Sequence, residues 1–200
     1  MATRRAKGVA REELLVDAAA QAIAELGLAN VRVCDVAERA QMSAGHVTYY
    51  FPSKNDLLML AIRRSEEVLL AEVEVELREL SKPWERLTRL IELSAAQQRG
   101  DPGWVLWFEV WSRAALDPAL AVVHGELDAQ WRAILSEVIR YGGERGAFDV
   151  VDPEVTASLL SATIDGLSVQ LTVGASDMDW DRLIELCLAA AQAYLGPRRR

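Results

Sequence analysis

Apolar residues recur at three- and four-residue spacing along most of the chain, and no useful stretch alternates apolar with polar. This pattern predicts an all-α protein. Leu15, Ala18, Ala19, Ala22, Ile23 and Leu26 predict a first helix over 11–26, closed by Gly27. Val33, Val36, Ala37 and Ala40 give a short second helix one apolar face. Gln41 and Met42 then leave room only for a turn, and a third helix begins at Ser43, whose hydroxyl can cap its free amides. Phe51-Pro52 ends that helix, because proline disfavours the helical conformation in the residue before it.

From about Asn55 no breaker appears until Pro83. Leu58, Ile62, Leu69, Val73, Leu77 and Leu80 form a rough apolar stripe there, predicting a long helix that joins two parts of the chain. Asp101-Pro102, Asp117-Pro118 and Asp152-Pro153 each place a capping carboxylate before a proline at the first helical position. Pro83 begins a helix by the same logic, Trp180–Leu195 supplies the last one, and Gly142, Gly143 and Gly146 are expected to loosen the connection after a helix over 118–141.

The third helix carries the first chemical signal. Gly45, His46, Thr48 and Tyr49 leave a surface that is small, polar and nearly uncharged, suited to close approach to base edges in the DNA major groove. Ser53 and Lys54 follow at a helix start, where backbone amides and a cation together can hold a phosphate. Tyr50 either braces this helix, touches phosphate or belongs to the core. On Gly27, Asp35-Val36-Ala37, Ser43-x-Gly45, Tyr49-Tyr50-Phe51, Ser53-Lys54 and Leu57-Leu58, residues 11–58 resemble the N-terminal domain of the tetracycline-repressor (TetR) family of bacterial transcription regulators. Most of that family has an aromatic residue where Thr48 stands, and a hydroxyl residue there is similar to the choline-responsive BetI-like branch. Three further positions depart from the family pattern: Gln41 replaces a turn glycine, Arg32 a threonine helix cap, and Cys34 a common basic residue.

The resemblance implies a DNA-binding helix-turn-helix domain over 1–54 with a basic N-terminal arm, and an effector-binding and dimerisation domain over 55–200. It further implies a homodimer on an inverted-repeat operator of double-stranded DNA, acting as a repressor that a small-molecule effector releases. The expected DNA contacts are Arg32, Ser43, Gly45, His46, Thr48, Tyr49 and Lys54.

Charge and composition refine this picture. The chain of 200 residues carries a net charge of −8, which at first argues against DNA binding. Residues 1–60, however, hold seven basic and seven acidic side chains, so the whole deficit lies in the remainder. Arg4, Arg5 and Lys7 precede any acid and fit either a mobile arm along the duplex or a solvated tail; Arg198-Arg199-Arg200 reads as a frayed end. With 51% hydrophobic content the chain can bury a core without disulfides or metal. Cys34 and Cys187 lie far apart, which fits a reduced, cytoplasmic protein, and neither a signal peptide nor a membrane-spanning run is apparent.

The segment 155–173 carries one charge, Asp165, among many small residues, as a helix buried on most sides would; the resemblance implies that with 180–195 it forms the dimer-forming helices, and a core helix of a monomer is the alternative. Trp104, Trp107, Phe108 and Trp111 share a helix face by spacing, and Trp131 lies on the next helix. Such a stripe serves a core, yet indoles near a carboxylate also suit an organic cation. The candidate effector pocket is Trp107, Trp111, Trp131 and Asp165, with choline or a polyamine as the type of ligand; a structural ion pair is the alternative for Asp165. No catalytic residue, metal site or cofactor is expected, since neither His46 nor His124 has a Glu-x-x-His partner and no phosphate loop, Cys-x-x-Cys or nucleophile elbow occurs. The rival classes are a helical ligand carrier or enzyme without DNA binding, and a TetR-like activator.

Overall fold

The computed structural model describes residues 2–196, with side chains from Gly8 onward. Among the described residues the secondary structure is helical throughout: α1 (Ala2–Leu26), α2 (Val33–Arg39), α3 (Ala44–Tyr50), α4 (Lys54–Glu79), α5 (Pro83–Ser94), α6 (Pro102–Ala114), α7 (Pro118–Glu144), α8 (Pro153–Val173) and α9 (Trp180–Leu195). No helix among them is long and apolar enough to cross a membrane. The expected arm residues Arg4, Arg5 and Lys7 have side chains outside the described residues, and Arg198-Arg199-Arg200 lies outside them altogether. The backbone of 2–10 is helical, so α1 starts well before Arg11. Nothing in that stretch breaks a helix, and a charge run alone does not predict where one begins.

The chain forms two compact units, one of residues 1–69 and 106–124, the other of 70–105 and 125–200. In the first, α1 packs on α2 and α2 on α3. Leu15, Ala19, Ala22, Val36, Ala37 and Val47 are buried. Leu26, expected on the buried face of α1, is exposed in the last turn. Gly27 ends α1 at φ +77°, in the left-handed region.

In the second unit α8 packs along α9 and α5 against α9. Leu70 rather than Leu69 takes the buried position on α4, since Leu69 is exposed while Leu70, Val73 and Leu77 are buried. All three Asp-Pro starts form as expected. Asp101 Oδ1 accepts from the amides of Gly103 (2.9 Å) and Trp104 (3.2 Å), Asp117 Oδ1 from Ala119 (2.9 Å) and Leu120 (3.4 Å), and Asp152 Oδ1 from Val155 (3.0 Å).

Gly142 and Gly143 do not loosen the end of α7, whereas Gly146 turns the chain just after it at φ +68°. Gly142 is still helical, and its Cα lies against the Phe148 ring, where an added Cβ would come within 2.0 Å of ring carbon. Phe148 in turn meets Trp84 edge to face at 4.9 Å. The buried hydroxyl of Ser168 accepts from the Ala96 amide at 3.0 Å, tying α8 to the segment after α5.

Candidate nucleic-acid interface and effector site

The turn between α2 and α3 sets the direction of α3. Its hydrogen bonds are those of a left-handed helix ending: the Met42 amide donates to Ala37 O (2.9 Å) and the Gln41 amide to Glu38 O (3.1 Å). The motif requires a positive φ at position 41, and Gln41 adopts φ +54° there. The turn geometry that a glycine would favour is therefore kept by a residue with a Cβ. At the other end of α2, the Asp35 carboxylate accepts from the Arg32 amide at 2.8 Å. An arginine has no acceptor to offer in return, so α2 has half of a capping box.

Ser43 caps α3 as expected: its Oγ accepts from the His46 amide (3.3 Å) and lies 2.9 Å from His46 Nδ1. When the Ser43 hydroxyl donates to Nδ1, His46 Nε2 carries the proton and becomes an outward donor. Thr48 Oγ1 donates back to the carbonyls of Ala44 and Gly45, both at 3.2 Å, which leaves its lone pairs as acceptors. Ser43, Gly45, His46, Thr48 and Tyr49 are all exposed while Val47 between them is buried, and Tyr49 is 79% exposed. Tyr50 is half-buried and meets the Tyr49 ring edge to face at 5.3 Å. Arg32 is exposed, and Lys54 is half-buried at the first position of α4, next to Ser53, whose Oγ accepts from the Asp56 amide at 3.4 Å. Arg39, by contrast, is tied to Glu25 of α1 and to the Asp35 carbonyl.

Of the four proposed pocket residues, Trp107 and Trp111 belong to the first unit, and Trp131 and Asp165 to the second. Trp107 and Trp111 have ring centroids 6.5 Å apart, and both rings adjoin His124, at 5.9 and 6.4 Å; Phe108 meets Trp111 at 5.9 Å. His124 is thus a member of the aromatic cluster, which the sequence reading missed. Its position on α7 carries no periodic signal that points to α6. In the second unit Asp165 is half-buried, and burial pushes its carboxyl up to about 6 from the ordinary 3.8, against the opposing pull of Arg132. Arg132 itself is paired with Asp128, which weakens its hold on Asp165.

The acid inside the aromatic run of α6 has a partner that helical spacing does not reveal. Glu109, between the cluster residues Phe108 and Trp111, accepts from the Ala29 amide at 2.7 Å, and its other carboxylate oxygen would lie 3.5 Å from a Cβ at Gly27. It ties α6 to the turn that ends α1. A lone acid inside an aromatic run carries no signal for such a partner eighty positions away.

Two short helices joined by a fixed turn behind α1, the second with an exposed polar face, define a helix-turn-helix DNA-binding protein. Comparison with known proteins agrees with this. The family described as bacterial regulatory proteins, tetR family, matches residues 15–60, and that described as BetI-type transcriptional repressor, C-terminal, matches 83–196. The HTH-type transcriptional regulator BetI of Burkholderia thailandensis is 25% identical over 191 residues, covering 94% of this chain and 95% of that protein. The BetI of Agrobacterium fabrum is 30% identical over 118 residues, 57% of each chain. Among solved structures, a putative transcriptional regulator from Saccharomonospora viridis in complex with choline superposes with a TM-score of 0.79 at 29% identity, covering 94% of this chain and 98% of that one. A TetR transcription regulator from Haloarcula marismortui shares the fold with a TM-score of 0.77 at 23% identity, covering 94% and 99%. The chain belongs to the TetR family of bacterial transcription regulators, with a C-terminal domain of the BetI type. It is a regulator of transcription and not an enzyme.

Proposed function

We propose that this protein is a cytoplasmic repressor that binds an inverted-repeat operator as a homodimer and is released by a small organic cation. In this division of labour residues 1–54 bind DNA, while 55–200 bind the effector and dimerise. The observation that carries the reading is the exposed, uncharged polar face of α3. Thr48, its hydrogen committed to the backbone, accepts from a base amino group, and His46 Nε2 donates to a base acceptor or phosphate. Tyr49 reaches outward beside them. Ser43 and Gly45 let the helix start approach the backbone closely, and Lys54 with the α4 amides holds a phosphate, with Arg32 as a further contact.

For the effector, the support is the choline bound by the Saccharomonospora viridis protein together with the indoles and the carboxylate of this chain. In the first unit Trp107 and Trp111 would supply cation–π faces, and in the second Trp131 and Asp165 are an indole and a counter-charge of the same type. The Glu109 link to the Ala29 amide would carry a movement of α6 to the DNA-binding helices. A complete reversal from bound to free operator needs roughly 5.5 kcal/mol of differential affinity between the two arrangements.

An electrophoretic mobility shift on the region upstream of its own gene, with and without choline, tests the proposal. A shift that weakens steeply with salt and is released by choline is the expected result. Absence of any shift at low salt would refute the DNA-binding role, and release by neutral compounds alone would refute the cationic effector.

A further inference from the structure

A cavity of about 370 Å³ lies within the first unit and shares no lining residue with the Trp107–Trp111 pair. One wall is Leu28, after α1, with Leu58, Met59 and Ile62 of the first turns of α4. The opposite wall is the corner from α6 to α7, where Leu120 and Arg113 face the space. Its size lies within the range of small-molecule sites, and its walls are largely apolar.

The charges at this cavity are unequal in their commitments. Asp117 also lines it, but Asp117 Oδ1 already accepts from the Ala119 and Leu120 amides at the start of α7. Arg113 makes no side-chain hydrogen bond or ion pair among the described residues, although Asp117 is only four positions away. A half-buried guanidinium with five donors therefore borders an apolar space without a partner for them. Nearby Leu116 is 89% exposed, so the mouth of the cavity offers further uncovered apolar surface.

We propose that this cavity is a second ligand site, which takes a small monocarboxylate with an apolar body. The carboxylate would pair with Arg113 in the two-pronged geometry that a guanidinium favours, and the apolar body would lie along Met59, Ile62 and Leu120. The occupant would bridge the first turns of α4, which follow directly from Lys54, and the α6–α7 corner.

Isothermal titration of the full chain with octanoate tests this, with octanol and octyltrimethylammonium run in parallel. Octanoate should bind one molecule per chain, more tightly than either analogue. Arg113→Gln should weaken octanoate by roughly tenfold or more, as loss of a charge-assisted pair does, and Arg113→Lys should recover part of that loss. Met59→Trp, which fills the space, should weaken octanoate independently of charge. Absence of octanoate binding, equal binding of octanol, or octanoate affinity undiminished in both Arg113→Gln and Met59→Trp would overturn the proposal, without bearing on the cation site.

Discussion

At the scale of single residues, Gln41 shows how a departure from the family pattern is absorbed. Its left-handed φ of +54° crowds its Cβ against the backbone, at a cost of about 1–2 kcal/mol that glycine does not incur. Part of that gain is returned by glycine's greater freedom in the unfolded chain. Gln41→Gly should therefore raise the free energy of unfolding by about 0.5–1 kcal/mol, read as a higher midpoint in urea. Lys54 and Thr48 separate two kinds of contact. Lys54→Ala should weaken binding to every DNA sequence alike and lower the salt slope by about one, whereas Thr48→Ala should change the order of preference among operator variants in competition assays. Asp165 has a sign that can be worked out. Its folded carboxyl titrates at about 6 against an ordinary 3.8, so the folded state binds the proton more tightly than the unfolded chain does. The stability this contributes is fully present below the unfolded value and is lost as pH rises through about 6. Asp165→Asn should flatten that decline, and urea melts of both proteins at about pH 4 and about pH 7.5 measure it.

At the scale of helices, the proline and capping chemistry was legible, whereas the glycine signal at 142–143 was not. Pro83, the three Asp-Pro pairs and Trp180–Leu195 stand where the sequence placed them, because a capping carboxylate and a proline at the first position act locally. What was not legible depends on other elements. The onset of α1 has no local breaker to mark it, and the exposed Leu26 and Leu69 satisfy helical spacing without a neighbour to cover them. Asp165 and the tryptophans could be singled out by type, but the stacking of His124 and the Glu109 bond to Ala29 arise only when α6 meets distant parts of the chain. The exposed polar face of α3 could be read in advance, since Val47 alone among its central residues is apolar and aliphatic. Gly142 is the sharpest case of a residue whose role reversed: absence of a side chain there makes room for Phe148 instead of freeing the backbone. Gly142→Ala should cost roughly 1–3 kcal/mol through overpacking, with the thermal midpoint as readout.

At the scale of the whole molecule, assembly is the open step. On α8 the buried side is Ala157, Leu160, Ile164 and Leu171, while Val155, Leu159, Ala162, Gly166 and Val173 are exposed along the other side. An apolar face this rich in small residues is suited to close packing of helices across a two-fold axis. Two copies joined in this way would present their α3 helices to half-sites about 34–36 Å apart. Leu159→Arg should leave the helical circular dichroism intact, convert the dimer to a monomer in light scattering, and abolish the operator shift. A mass that is monomeric already in the unaltered protein would end the two-fold reading.

If the bond from the Ala29 amide to Glu109 links the proposed effector to the DNA-binding helices, it has a consequence for the promoter itself. Whatever factor an effector removes from the grip on DNA, the duplex must remove from the grip on the effector, because the two events close one thermodynamic cycle. Under the proposed release by an effector, operator DNA would then be an antagonist of the small molecule, and freeing an occupied promoter would take a higher concentration than saturating the idle pool of regulator.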